Sequence, residues 1–560
     1  MKYKLKGKIK NSVLDTILSN RNLTEEKVEW LLNADESNWE DTRNYININD
    51  AYECLMENIY KFKNILICMD EDLDGVSSAS MIYQFIRDDL GYNNVFYTIH
   101  SRNKTHGLSD EIVNKAIKSC DLLIMPDAAS SDIEGQKKLL EHDVNFIALD
   151  HHLFDANVIP PGAIVVNNKD GNVENSFGSG AAVTYKFVHY VAEQENIDLG
   201  NKYIDLVNLA NIADMMDMTS LENRYIFNEG KQLNNITNNM LNVFVKEHNI
   251  KPYLKIDDVA WNIAPLCNSI IRNGTVDDKD MLFRAFIGED ETVQYKSRGQ
   301  YKEQSLQEAV IRIANNLKRK QKDLIDKATK GNVKLLSKDT DMVVLIDSQN
   351  IDRNITGVVA NKFLQIYNKP ILMLREDKNI YRGSARCPNQ IESFNNICKE
   401  SGLFEYVEGH DNSFGYSIQK DNIDKFIEFV NEKLKNIDFT NEVEVDYIYE
   451  KNIPLEDVIS IGELEDVWCN TLKRPKFIIK GVKVNSKKIK KVGFANYSFM
   501  NNKILFRKDY CSKVFFSKMI DEENNEKHDK DLVLDILCSI KLNDKGRSYI
   551  DIIDVDSRAI

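Results

Sequence analysis

The sequence predicts an α/β protein: a doubly wound parallel-sheet domain, a long connecting helix, a second, smaller α/β domain and a C-terminal β-barrel. Three observations carry this. Apolar strand-like runs alternate with helical patterns over residues 61–290, as in a parallel sheet covered on both faces. A proline-free stretch of helical periodicity occupies residues 300–331. Short strand-like runs then recur at close spacing over residues 442–560.

Taken in order, residues 1–60 read as an N-terminal helical lead-in. The first domain, 61–290, contains the runs "NILICMD", "LLIMPD" and "NFIALDHH", each apolar until it ends in acid or imidazole. "EQSLQEAVIRIANNLKRKQKDLIDKATKG" is the connecting helix, and residues 332–437 form another α/β unit. In the last domain a strand-like half, "KFIIKGVKV", precedes a turn, followed by strand-like runs at "KILFR", "SKVFF", "LVLDILCSIKL" and "SYIDIIDV". A nucleic-acid-binding OB-fold is the natural candidate for such a barrel. Nine basic residues lie between Lys473 and Lys491, ending in Lys487, Lys488, Lys490 and Lys491, with almost no acid among them.

Composition bounds the rest. At 560 residues and 42% hydrophobic, the chain can bury several cores. No apolar run approaches the roughly 18 residues of a membrane span, and the basic N-terminus lacks a signal-peptide core. The nine cysteines include no CxxC pair, as expected of free thiols in a reducing, cytoplasmic location. A net charge of −14 argues against a polyanion-binding surface over the whole molecule, so any nucleic-acid contact must be local.

The functional signal lies in the acids. "MDEDLDG" places Asp70, Asp72 and Asp74 where a buried strand ends and a helix begins. Asp127 ends the second run, Asp150, His151 and His152 end the third, and Asp214 ends the apolar, helical-looking "LVNLANIAD". The carboxyl ends of parallel strands share one edge of the sheet, so these groups converge. Clustered carboxylates repel one another, and a divalent cation relieves the repulsion. The set fits a two-metal hydrolytic centre holding Mn2+ or Mg2+.

The order "DEDLDG", "PD", "DHH", "IAD" resembles the DHH phosphoesterase superfamily, and within it the RecJ-type single-strand-specific exonucleases. "HSRNKTHGLS" around Arg102, "SFGSGAAVTYKFV", "TGVVANKFLQIYNKPILML", "RGSARC" and "EGHDNSFG" resemble further segments of that branch in their order and spacing. The resemblance implies that Asp72 and Asp74 ligate different ions, that Asp127 bridges them, and that His151 and Asp214 complete the second ion's shell. It makes Asp70 a further ligand or an orienting partner, His152 a contact to the scissile phosphate, and Asp150 a support behind the ligands. Ser384 and Arg386 would bind a terminal phosphate, joined by Arg102, with His410 beside Gly409 near the scissile phosphate. Three departures stand out: Cys68 where many DHH phosphatases have histidine, "DAAS" beginning at Asp127 where the branch usually has Asn and Gly after the aspartate, and Glu408, Ser413 and Phe414 in the glycine-histidine loop.

The function implied is a metal-dependent exonuclease degrading single-stranded DNA from its 5′ end in recombination, repair or replication, with a helicase or a single-strand-binding protein as partner and no membrane. One alternative is a DHH phosphodiesterase of oligoribonucleotides or cyclic dinucleotides, though such relatives are compact two-domain proteins. The other is an inactive DHH-derived replication scaffold, which the retained metal carboxylates disfavour.

Overall fold

The computed structural model describes residues 2–101, 106–171, 173–297, 299–330, 334–351, 353–388, 390–439, 442–492, 496–520 and 529–559. They form two compact units, one joining Tyr3–Asn315 to Glu444–Ile560 and one spanning Asn316–Val443.

In the first unit, helices α1 (Val13–Ser19), α2 (Glu25–Asn33) and α3 (Ile48–Tyr60) lead into a five-stranded, all-parallel sheet. Its strands are β1 (Ile65–Met69), β2 (Val95–Ile99), β3 (Leu122–Pro126), β4 (Asn145–Asp150) and β5 (Ala163–Asn167), in spatial order β2-β1-β3-β4-β5. β1 and β3 are buried along their whole length, which is why both read as unbroken apolar runs and not as alternation. Leu66, Cys68, Leu123 and Met125 pack against α5 (Asp110–Ser119) and α6 (Ile133–Leu140). On the other face lies α4 (Leu73–Gln84), packed on α7 (Gly180–Gln194) and α8 (Ile204–Ala213), with α9 (Leu221–Gly230) beside α8. The strand order reverses between β1 and β3, and a crevice at that switch point is where a doubly wound sheet binds ligands.

The C-terminal strands of the same unit form a seven-stranded mixed sheet. They are β11 (Tyr447–Tyr449), β12 (Phe477–Asn485), β13 (Lys490–Val492), β14 (Asn496–Asn501), β15 (Ile504–Lys508), β16 (Asp531–Leu542) and β17 (Ser548–Ala559), ordered β11-β12-β16-β17-β15-β14-β13. The sheet curls: Asn501 on β14 donates to the Lys483 carbonyl on β12 at 2.7 Å. No ladder closes it into a barrel among the described residues. Its core includes Ile17 and Leu18 of α1 and Val28 and Leu31 of α2, so the N-terminal helices complete the hydrophobic interior of the C-terminal sheet.

Two local expectations are corrected. "SKVFF" is not a strand but the start of helix Lys513–Ile520: the Ser512 hydroxyl caps the Phe515 N–H, and Phe516, Met519 and Ile520 are buried at helical spacing. The connecting helix begins at Leu306, after a hairpin of Thr292–Ser297 with Gln300–Ser305. Ser305 and Glu308 exchange reciprocal backbone bonds of 3.2 Å there, forming a capping box that sets the start.

The connecting helix runs from Leu306 to Lys330. In the second unit a five-stranded sheet of β6 (Val344–Asp347), β7 (Ile371–Asp377), β8 (Ile380–Arg386), β9 (Phe404–His410) and β10 (Ser413–Gln419) is ordered β9-β10-β8-β7-β6. Only β6 and β7 pair in parallel. Among the described residues no helix is long and apolar enough to cross a membrane.

Candidate metal centre

Asp72 is the N-cap of α4, its carboxylate accepting the Gly75 N–H at 2.9 Å. That cap turns the chain so that Asp74, the second residue of the helix, points at the N-terminus of α7. There its two oxygens accept the N–H groups of Gly180 and Ala181, each at 2.7 Å. Unsatisfied donors at a helix start hold a carboxylate well. β3 delivers Asp127 in a left-handed backbone conformation (φ 67°), and β4 delivers the histidine pair. His151 Nε2 lies 3.3 Å from Asp127 Oδ1 and 3.7 Å from both Asp74 Oδ2 and Asp214 Oδ2. Asp214 reaches the same point from the C-cap of α8.

Two overlapping groups result, Asp74–His151–Asp214 and Asp127–His151–His152, each with potential ligand atoms within 4.8 Å of one another. Four of the six acids and imidazoles expected to bind metal thus meet directly. Asp72 adds its charge, which raises both Asp127 and Asp214. Asp70 turns elsewhere: it accepts the Gly107 N–H at 3.1 Å and meets His106 Nδ1 at 2.8 Å, with His100 Nε2 at 3.9 Å. Asp150 sits behind the histidines, accepting the N–H groups of Ser130, His151 and His152 and the His152 ring at 2.8 Å.

The electrostatics follow from this crowding. Burial, then Asp74 and its neighbours, push the Asp127 carboxyl well above the ordinary range. Burial and Asp74 raise Asp72, and the same causes bring Asp214 up to about 7. Burial would also raise Asp150, yet its bonds to His152 and Ser130 hold it below the usual value, while Asp150 lifts His152 to about 9. Burial keeps the His151 imidazole below its ordinary value, hence neutral and a competent ligand.

Does this set suit a divalent cation? Asp127 Oδ1 is buried with no hydrogen-bond donor of its own. Gly180 leaves room beside it: a Cβ there would fall 2.3 Å from that oxygen and 2.7 Å from the Asp127 Cα. Oxygen donors with one or two imidazoles match Mn2+ or Mg2+, which would replace the protons these acids otherwise share. The residues fit.

Sequence reasoning missed several participants. His106 and His100 engage Asp70, Gly180 shapes the floor, and the buried Lys279 pairs with Glu71 inside the acidic motif. Gly180 could have been found, since a glycine in "SGAA" at a helix start signals close backbone approach. Lys279 carried no local signal.

Arg102 falls outside the described residues. In the second unit Ser384 Oγ is 3.1 Å from Thr356 Oγ1, and the half-buried Arg386 borders Gly357, where a Cβ would come within 2.6 Å of its guanidinium. Arg386 also lines a cavity of about 660 Å³ with Asn361, Asp411 and Ser413. His410 ends β9 opposite Ser413; its side chain is not among those described. Phe414, a departure in that loop, is a core residue packed on Phe394 at 6.0 Å between ring centres. Lys487 pairs with Asp529, while Lys488, Lys490 and Lys491 are exposed beside it. The basic run is also less bare than its sequence, because Arg474 meets Glu465 and Lys480 meets Glu450.

Residues 64–210 match the family model of the DHH family, N-terminal domain, and residues 339–436 that of the DHHA1 domain. A Bacillus subtilis protein described as a putative SPbeta prophage-derived single-strand DNA-specific exonuclease, YorK, is 31% identical over 555 residues, covering 95% of this chain and 94% of its own. The single-stranded-DNA-specific exonuclease RecJ of Bacillus subtilis is 21% identical, over 80% of this chain and 54% of that one. Among solved structures, RecJ from Thermus thermophilus in complex with Mn2+ superposes with a TM-score of 0.67 at 17% identity, over 98% of this chain and 76% of that one.

Proposed function

The chain belongs to the DHH family, in its RecJ-like branch, and from that premise we propose that it is a metal-dependent exonuclease that hydrolyses single-stranded DNA from the 5′ end. One observation carries the chemistry: Asp74, Asp127 and Asp214 converge with His151 at the switch point of a parallel sheet, with a buried Asp127 oxygen that accepts no hydrogen bond. Together with Asp72 these residues would hold two Mn2+ or Mg2+ ions, and bound ions of that kind supply charge stabilisation for phosphodiester hydrolysis. The protein's own part is geometric. α7 fixes Asp74 through two backbone N–H groups, Asp150 orients His152, and neutral His151 offers Nε2 to the shared point. His152, protonated near neutral pH, would face the negative charge of a scissile phosphate.

Ser384 and Arg386, with Thr356, suit a terminal 5′ phosphate, which a guanidinium binds bidentately. Lys488, Lys490 and Lys491 suit the phosphate backbone of the strand. The similarity to YorK supports single-stranded DNA as the substrate.

End-labelled single-stranded DNA, duplex DNA and short RNA, compared with and without chelator, test the reading. Digestion of the single strand from its 5′ end, stopped by chelator and restored by Mn2+, is the expected result. Preference for short RNA would instead place the chain with the oligoribonucleotide phosphodiesterases.

A further inference from the structure

We propose that the Asp466–Asn470 segment of the C-terminal domain is a strap that positions Asp214, so that this domain sets the metal affinity of a centre whose side chains all lie outside it. The proposal rests on the metal-centre reading above.

Asp214 is the weak point of the set. Its side chain is 37% exposed, against 1% for Asp74 and 2% for Asp127. It closes α8 through its N–H, bonded to the Ala210 carbonyl at 2.9 Å, and the next residue, Met215, turns left-handed (φ 58°) with most of its side chain in solvent. A turn with so little buried surface does not hold a carboxylate in one place by packing.

Polar bonds hold it instead. Asn223 on α9 donates to the carbonyls of Asp217 and Phe177 at 3.0 and 2.9 Å. Arg224, fully buried, donates through Nε to the Met218 carbonyl. The other end of the same guanidinium crosses to the C-terminal domain, reaching the carbonyls of Asp466 and, at 2.9 Å, Val467. Asn470 of that segment donates its amide to the carbonyl of Met215, the residue after the ligand. The strap is itself anchored, since the Asp466 carboxylate takes Lys231 Nζ at 2.8 Å and the Tyr253 hydroxyl at 3.1 Å.

A buried guanidinium needs all its partners, and here the turn and the strap share them. Loosening either loosens the other, and the coupling is reciprocal: metal that fixes Asp214 also favours the docked strap.

The experiment titrates the metal-free full chain with Mn2+, following the free-ion signal by electron paramagnetic resonance. Asn470→Ala, and Asn470→Asp as a near-isosteric loss of the donor, should weaken Mn2+ binding on the order of 10-fold, the scale carried by hydrogen-bond partners of metal ligands. Asn501→Ala, which removes an amide of the same domain away from the strap, should bind Mn2+ like the parent. Asp127→Ala separates the two readings. If it binds Mn2+ like the parent, the metal centre is misassigned. If it loses Mn2+ while both Asn470 variants keep parental affinity, the strap is wrong and the metal centre stands. Equal weakening in Asn501→Ala also overturns the strap, because the effect is then general to the domain.

Discussion

Arg21 and Asp446, 425 residues apart in sequence, face each other through two N–H···O bonds of 2.6 and 3.0 Å, with both side chains about 95% removed from solvent. Asn20 Nδ2 and the Lys476 N–H complete the carboxylate's shell at 2.9 and 3.1 Å, and the guanidinium lies 5.3 Å from the Trp468 ring centre. The pair ties the N-terminal helices to the sheet whose core they complete.

Removing Asp446 should therefore destabilise the first unit strongly. Asp446→Ala leaves a buried guanidinium unpaired, a loss of roughly 3–5 kcal/mol. Burial alone would raise this carboxyl, but Arg21 and Asn20 hold it below the ordinary aspartate value of 3.8. Its contribution is thus complete above that value and fades as pH falls through the lower folded one. Urea unfolding followed by tryptophan fluorescence checks this: parent and variant should differ at pH 7 and converge under acid. A parental midpoint at pH 7 would refute it.

The proposed metal centre would depend on a side chain that is absent. Gly180→Ala, a change that favours a helix elsewhere, would place a Cβ against the Asp127 carboxylate and its Cα. Activity and Mn2+ binding should both fall at least as far as in Asp127→Ala, while circular dichroism stays parental. Full activity in Gly180→Ala would mean that the close approach is not limiting.

Terminal-phosphate recognition is the role proposed for Arg386. Arg386→Ala should weaken binding of 5′-phosphorylated strands by roughly 10-fold or more, the order of one charge-assisted hydrogen bond, and of 5′-hydroxyl strands far less. Equal losses for both ends, or digestion from the 3′ end, would remove the assignment.

Changing Lys487, Lys488, Lys490 and Lys491 together to Gln should lower affinity for long single strands and flatten its salt dependence. The slope of log affinity against log salt should drop by about 0.7 for each phosphate that the variant no longer neutralises. Because Lys487 already pairs with Asp529, the exposed Lys488 and Lys490 should carry most of that change. Cleavage of very short oligonucleotides should hardly alter, and an unchanged slope would leave the run as a solvated turn.

Much was legible before any coordinate. Buried parallel strands declare themselves as unbroken apolar runs, so "ILICM", "LLIMP" and "NFIALD" read correctly as strands, and the edge they share followed from topology. "SKVFF" misled because a short apolar run looks the same as strand or helix, and only the Ser512 cap and the spacing of buried residues decide between them.

The sequence by itself determined the parallel sheet, the second α/β unit and which acids and imidazoles end the strands of that sheet, because those properties are local: periodicity, burial and position relative to a strand terminus. Tertiary structure alone decided the rest. It separated Asp70, turned toward His106, from the acids around His151; it placed Ile17 and Leu31 in the core of a sheet more than 400 residues away; and it set Asn470 beside Met215. Those relationships join segments through space, and no spacing along the chain encodes a proximity that only the packed fold brings within a few ångströms.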